Sequence, residues 1–192
     1  IRIFLADAIG HGIQAALITM IIKGEYEKVK TIEDARELLE WLNKSFTDLY
    51  MSLNAFFSCI LIDIDINKKK IRYSSAGHPD QIHITDDSIE LLKHTGKLIG
   101  IQRDTAYECV EKDLGRHDKI ILFTDGLFEQ LNDREEVFTE QHIMTLAEKM
   151  KSKPVRELDE MIISSLREFM GGSEVISVRD DITLISIEID GK

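Results

Sequence analysis

Proline and cysteine are both scarce in this chain, with two of each among 192 residues, and there is a single tryptophan. So few prolines leave no room for a stiff proline-rich linker. Cys59 and Cys109 lack any metal-type spacing and cannot build a disulfide scaffold; both sit in strand-like apolar contexts and are expected as buried free thiols of a reducing cytoplasm. Long apolar runs are missing too. The longest, Leu17–Ile22, falls far short of the ~20 residues that cross a bilayer and reads as part of an amphipathic helix. Basic charge is in deficit, with 24 Lys and Arg against 35 Asp and Glu and a net charge of −11. Nucleic-acid binding asks for a basic face, so it is excluded, and no membrane contact is expected. The compact basic run Lys68-Lys69-Lys70 reads as a solvated turn.

What remains is ordinary globular material, 43% hydrophobic and 31% charged, long enough to bury roughly 70% of its unfolded surface. Repeats, low-complexity tracts and linker-like stretches are absent, so the whole of 1–192 is expected as one domain. The chain does not begin with Met and carries no signal peptide. It is therefore expected to be a piece of a longer protein.

The opening stretch organises the rest. Ile1–Ala6 is an apolar run suited to a buried strand, and Asp7 stands where that strand stops. Gly10 and Gly12 permit a tight turn. Ile13, Ala16, Leu17, Met20 and Ile21 then recur at helical spacing and predict a core-facing stripe on a helix that fades near Lys23-Gly24. A strand thus delivers a carboxylate to a glycine turn that opens a helix, an arrangement able to hold a metal or a phosphate.

A second helix is predicted from the capping groups of Thr31 and Asp34 to about Tyr50, burying Ala35, Leu38, Leu39, Leu42, Phe46 and Leu49, with Trp41 at the core edge. The period then changes. Strands are predicted over 55–65, 71–76, 81–85, 89–93, 106–113, 119–124 and 182–189, the first two joined as a hairpin through Asn67–Lys70. Helices are predicted over 141–151 and 154–170, the second opening on Pro154 and ending at Gly171-Gly172. Helices early and late, with a block of sequential strands between, favour antiparallel sheets covered by helices, an α+β class.

Further short segments complete the pattern: Ser75-Ala76-Gly77-His78-Pro79, Phe123-Thr124-Asp125-Gly126 and Arg179-Asp180-Asp181-Ile182-Thr183. In this order they resemble the metal-dependent protein phosphatase superfamily (PPM, protein phosphatase 2C-like). The resemblance is to its bacterial branch of sporulation stage II protein E and sigma-factor-regulator phosphatases, and it runs from Ile1 to about Ile189. It implies a four-layer α-β-β-α sandwich, two antiparallel sheets face to face with helices outside. It also implies a phosphoserine/phosphothreonine protein phosphatase, a hydrolase in which a water bridging two Mn²⁺ or Mg²⁺ ions attacks the phosphate.

Hard divalent ions choose carboxylate oxygens, and gathered carboxylates repel one another unless cations offset the charge. By resemblance Asp7 bridges both metals and Ala8 supplies only a backbone carbonyl. Asp125 and Asp180 match ligands of the second metal, with Asp181 a neighbouring group; sequence alone leaves the roles of Asp180 and Asp181 interchangeable. His11 either serves the phosphate, as donor or acid, or belongs to the turn. His78 is expected to shape its loop, Arg179 to pair with Asp180, and His83, His94, His117 and His142 to lie at the surface.

The resemblance further implies a phosphorylated substrate of anti-anti-sigma-factor type in bacterial partner-switching signal transduction, with a sensor domain upstream in the same chain. The oligomeric state, homodimer included, is left open. There are departures from the family pattern. A Gly-Gly-Asp segment that precedes the position of Asp7 in relatives has no counterpart here, and Gly96-Lys97-Leu98-Ile99-Gly100 replaces their Gly-Leu-Pro-Leu-Gly. The missing carboxylate motivates an alternative reading, a catalytically inactive interaction or dimerisation module; a hydrolase of small phosphoesters is a third.

Overall fold

The computed structural model describes residues 1–10, 12–172 and 178–190. In chain order they form β1 (Arg2–Ala8), α1 (Gly12–Val29), α2 (Ala35–Leu49), β2 (Phe57–Asp65), β3 (Lys70–Ala76), β4 (Gln81–Ile84), β5 (Ile89–Leu92), β6 (Val110–Asp113), β7 (Lys119–Phe123), α3 (Glu140–Lys149), α4 (Val155–Phe169) and β8 (Leu184–Glu188). Single turns of 3-10 helix occur at Met51–Leu53 and Asp125–Leu127. The strands make two four-stranded antiparallel sheets, as the α+β expectation requires. The chain divides into two compact units, one of Ile1–His78 with Lys93–Leu114, the other of Pro79–Leu92 with Gly115–Lys192.

The first unit holds the sheet β1-β2-β3-β6 with α1 and α2. Its hairpin forms as the turn residues dictate: Lys69 takes a positive φ, Asp65 accepts the Lys68 N–H, and Asp65 faces Lys70. Side chains alternate along β2. Phe57, Cys59 and Leu61 pack with Leu38, Leu39, Leu42 and Phe46 of α2 and with Ile18, Ile22 and Val29 of α1. Ile60, Ile62 and Ile64, on the opposite face, are buried as well. Asp34 caps α2 by accepting from the backbone N–H groups of Arg36 and Glu37.

The first helix departs from expectation. It runs through Gly24 to Val29, and its inward face is Ile18, Ile22, Glu25 and Val29. Most of the predicted stripe faces outward, with Ile13 83% exposed, Met20 72% and Leu17 57%, while half-buried Ile21 packs against the core. Apolar residues populate both sides of this helix, so spacing alone could not choose between them. Glu25 settles the choice. Its buried carboxylate accepts hydrogen bonds from Lys28 Nζ at 2.6 Å, Tyr50 Oη at 2.7 Å and Ser45 Oγ at 3.0 Å, which joins α1 to α2. Leu49 and Trp41 are likewise exposed rather than packed, because the helix turns them away from the stripe of Leu38, Leu42 and Phe46. Cys109 is exposed, since β6 begins only at Val110, whereas Cys59 is buried as expected; both thiols are free.

The second unit holds the sheet β5-β4-β7-β8 with α3 and α4. Ile82, Ile84, Ile121 and Phe123 pack with Ile143, Leu146, Leu158, Ile162 and Leu166 from the helices. Every residue of β7 is buried. The Gln81 amide clamps its C-terminal end, accepting the Phe123 N–H and donating to the Phe123 and Pro79 carbonyls. Thr139 and His142 form a capping box at α3. His83 overturns the surface expectation: it is buried, with Nε2 2.8 Å from Asp118 Oδ2. Among the described residues no helix is long and apolar enough to cross a membrane.

Burial pushes the Glu25 carboxyl up, but its hydrogen bonds from Lys28, Tyr50 and Ser45 outweigh this and hold it below the ordinary glutamate value. A depressed acid contributes stability above its unfolded pKa and loses it as pH falls through the folded value. Glu25→Gln is therefore expected to cost about 1–3 kcal/mol in urea unfolding at pH 7. The gap from wild type narrows below about pH 4.

Candidate metal centre

In the first unit Asp7 lies within β1, one residue from its end, rather than at a strand stop. It faces Ser58 of β2 in register. Residues directly opposite on antiparallel strands project to the same side. Asp7 and Ser58 therefore share the face turned away from Phe57, Cys59 and Leu61, hence from α1 and α2. Ser58 Oγ lies 2.7 Å from Nδ1 of buried His78, so His78 fixes the loop after β3 against this strand, the structural part expected of it. The Ala8 side chain packs toward the helix side, which leaves only its backbone carbonyl for any ligand. Gly10 and Gly12 take φ of +109° and +75° in the turn into α1. His11 lies outside the described residues.

In the second unit β7 ends at Phe123, and Asp125 opens a 3-10 turn. The Asp125 carbonyl accepts the N–H groups of both Phe128 and Glu129. Its side-chain Oδ1 is buried and has no hydrogen-bond partner among the described residues. A buried carboxylate oxygen left so is costly, and a cation is one way to satisfy it. The other acids add to the case. Burial pushes the Glu129 carboxyl up, and the negative charges of Asp125 and Asp180 push it the same way. Fold thus brings Asp125 and Asp180, 55 positions apart by number, into one electrostatic neighbourhood.

Backbone contact makes that neighbourhood. A Cβ at Gly126 would lie 2.2 Å from the Asp181 carbonyl oxygen, so only glycine lets the turn meet the Asp180-Asp181 segment. Thr124 ties the same two segments: its N–H donates to Thr183 O, its Oγ1 accepts the Thr183 N–H, and Oγ1 donates to Asp181 O. The Asp180 carboxylate accepts the Asp181 N–H at 2.8 Å. Of that adjacent pair, Asp180 is the one whose charge acts on Glu129. The expected ion pair of Arg179 with Asp180 does not form among the described residues; Arg179 instead gives its backbone N–H to Gln130 Oε1 at 3.1 Å.

Asp125, Asp180 and Asp181 are thus assembled within the second unit, while Asp7 and Ala8 belong to the first. Among the described residues no three His, Cys, Asp or Glu side chains are set as a group able to hold a metal ion. The donors are nonetheless of the right kind: hard oxygens at strand ends, one of them buried and unsatisfied. Sequence reading passed over Glu129, Gln81 and Gln130. Glu129 follows the Asp125-Gly126 turn closely enough to have been suspected. The two glutamines carried no signal, since their partners are backbone groups of distant segments.

Residues 1–190 match the family model described as Stage II sporulation protein E (SpoIIE). Two phosphoserine phosphatases of Bacillus subtilis (strain 168) are similar. RsbU is 28% identical over 189 residues, 96% of this chain and 54% of RsbU; RsbP is 26% identical over 171 residues, 86% of this chain and 40% of RsbP. The chain spans about half the length of these curated relatives. Among solved structures, the SiaA-PP2C domain of Pseudomonas aeruginosa superposes with a TM-score of 0.86 at 21% identity, covering 98% of this chain and 76% of that one. The catalytic domain of the serine threonine protein phosphatase PstP, a complex with 2 manganese ions, has a TM-score of 0.66 at 12% identity, covering 98% and 88%. The fold is that of these phosphatase domains, as the α+β sandwich reading expects.

Two substitutions probe the acidic turn. Gly126→Ala forces a Cβ onto the Asp181 carbonyl and is expected to cost about 1–3 kcal/mol in thermal or urea unfolding. Glu129→Gln removes an acid whose folded pKa is raised. Such an acid opposes folding increasingly as pH rises through its titration. The metal-free variant is therefore expected to unfold at higher urea than wild type at pH 7, with the difference vanishing near pH 4.

Proposed function

The chain belongs to the stage II sporulation protein E family, and on that premise we propose that it is a metal-dependent phosphoserine/phosphothreonine protein phosphatase. The single observation that carries the reading is the buried Oδ1 of Asp125, without a hydrogen-bond partner among the described residues and set beside Asp180 and Glu129 just past the end of β7. Asp7, the Ala8 carbonyl, Asp125 and Asp180 are the ligands, with Asp181 beside them. The ions are Mn²⁺ or Mg²⁺, two being expected. Bound there, they supply Lewis acidity, lowering the pKa of water and screening the phosphate's negative charge.

The protein's own groups do the rest. Gly126 and Thr124 hold the Asp125 turn against the Asp180 segment, so little reorganisation is needed when charge enters the site. Ser58 and His78 hold the strand face that bears Asp7. No protein nucleophile would be required, because water activated by ions held at these residues could attack the phosphate.

The substrate is a phosphorylated protein of anti-anti-sigma type, acting in cytoplasmic partner-switching signalling, and the 192 residues act as the catalytic domain under the control of a regulatory domain joined to them. The phosphoserine phosphatase relatives RsbU and RsbP support this, as does their greater length. The same relatives weigh against a catalytically inactive module.

Hydrolysis of p-nitrophenyl phosphate by the purified chain is expected to require Mn²⁺ or Mg²⁺ and to stop with EDTA. Asp125→Asn is expected to lower kcat/KM by roughly 100-fold or more. Full turnover by this variant with chelator in excess would end the reading.

A further inference from the structure

Gln130 is a fully buried polar residue. Its terminal amide faces two ways. Nε2 donates to the Gly126 carbonyl at 2.5 Å, and Oε1 accepts the Arg179 N–H at 3.1 Å. One planar group thereby spans the turn that carries Asp125 and the segment that carries Asp180. We propose that Gln130 is the positioning residue that sets the separation of the Asp125 and Asp180 carboxylates and so tunes the site's affinity for divalent cations. The inference rests on the phosphatase reading above and goes beyond its ligand set.

Several observations converge on that role. The Gly126 carbonyl lacks the donor three residues on that a continued 3-10 turn would give it, because the Glu129 N–H goes to the Asp125 carbonyl instead. Gln130 fills that vacancy. Its own backbone is anchored to the core of the unit, its carbonyl accepting the Phe138 N–H at 2.9 Å while Phe138 is buried among the helix side chains. The amide therefore has a fixed base. Only one orientation of the amide satisfies both partners, since a carbonyl needs a donor and an N–H needs an acceptor.

Thr124 alone would be a single tether about which the 178–183 segment could pivot. Thr124 holds the segment at Asp181 and Thr183, and Gln130 holds it at Arg179. Asp180 lies between the two tethers. The backbone that carries it is thus tied on both sides, beside a turn whose acids share its sign of charge. Holding repelling carboxylates at a set distance is what a cation site needs in advance of its ion.

Gln130→Met keeps the volume and removes both hydrogen bonds; Gln130→Glu keeps the acceptor for Arg179 and loses the donor for Gly126. Mn²⁺ affinity is read by calorimetry, and metal-free stability by urea unfolding. The exchange rate of the Arg179 amide hydrogen is measured in parallel. The expected result is Mn²⁺ binding weakened roughly tenfold or more in Gln130→Met. Exchange at Arg179 is expected to be at least about tenfold faster. Gln130→Glu, which retains the Arg179 bond, should exchange more slowly than Gln130→Met at that amide.

A folded Gln130→Met that binds Mn²⁺ as tightly as wild type, with only its urea midpoint lowered, reduces Gln130 to a packing residue and overturns the inference. If Gln130→Met does not fold, Gln130→Leu, which likewise removes both hydrogen bonds without adding charge, decides by Mn²⁺ affinity and Arg179 exchange. Wild-type protein that binds no divalent cation overturns the phosphatase reading itself, an outcome distinct from an unchanged affinity in the variant.

Discussion

Like charges held together against their repulsion are the constraint on which the second unit is built. Asp125 and Asp180 raise the cost of ionising Glu129, and the fold accepts that cost where β7 ends. The restraint is mostly main-chain geometry. A glycine admits a carbonyl where any side chain would collide, and a threonine and a glutamine bond the backbone on either side of the contact. A rigid apolar strand, buried on both faces, supplies the platform. Stability is thus concentrated just behind a place where it is locally spent.

The first unit handles its polar groups differently. Asp7 sits in a regular ladder and leans on paired strands for its position, with Ser58 and His78 fixing the neighbouring loop. Its most demanding buried charge, Glu25, is fully satisfied by three donors. A satisfied carboxylate serves the join between α1 and α2, whereas an unsatisfied one marks the candidate centre. That contrast separates structural acids from candidate ligands more clearly than burial alone does.

Much of this was legible in the chain. Strand, carboxylate and glycine recur at Asp7 and Asp125, although Asp7 proves to lie inside β1, one residue before its end, and Asp125 two residues past the end of β7. The antiparallel α+β class, the hairpin at Asn67–Lys70 and the Asp34 cap also followed from local rules. The inward face of α1 was illegible because both of its sides are apolar, and the decision fell to a glutamate whose partners lie on or beside α2. His83 looked like a surface residue because its partner, Asp118, is 35 positions away. The Gln130 contacts were invisible for the same reason: amide-to-backbone bonds leave no periodic trace, and one of them spans 49 positions.

Neither compact unit is a continuous stretch of chain. During synthesis β1, β2 and β3 emerge together, yet their sheet waits for Val110–Asp113 to supply its last strand. Meanwhile β4 and β5 must idle as a lone hairpin until β7 leaves the ribosome. Through that interval both nascent sheets present unpaired strand edges, which are templates for sticking to other chains. A translation product halted near residue 100 would carry both open edges at once and complete neither sheet.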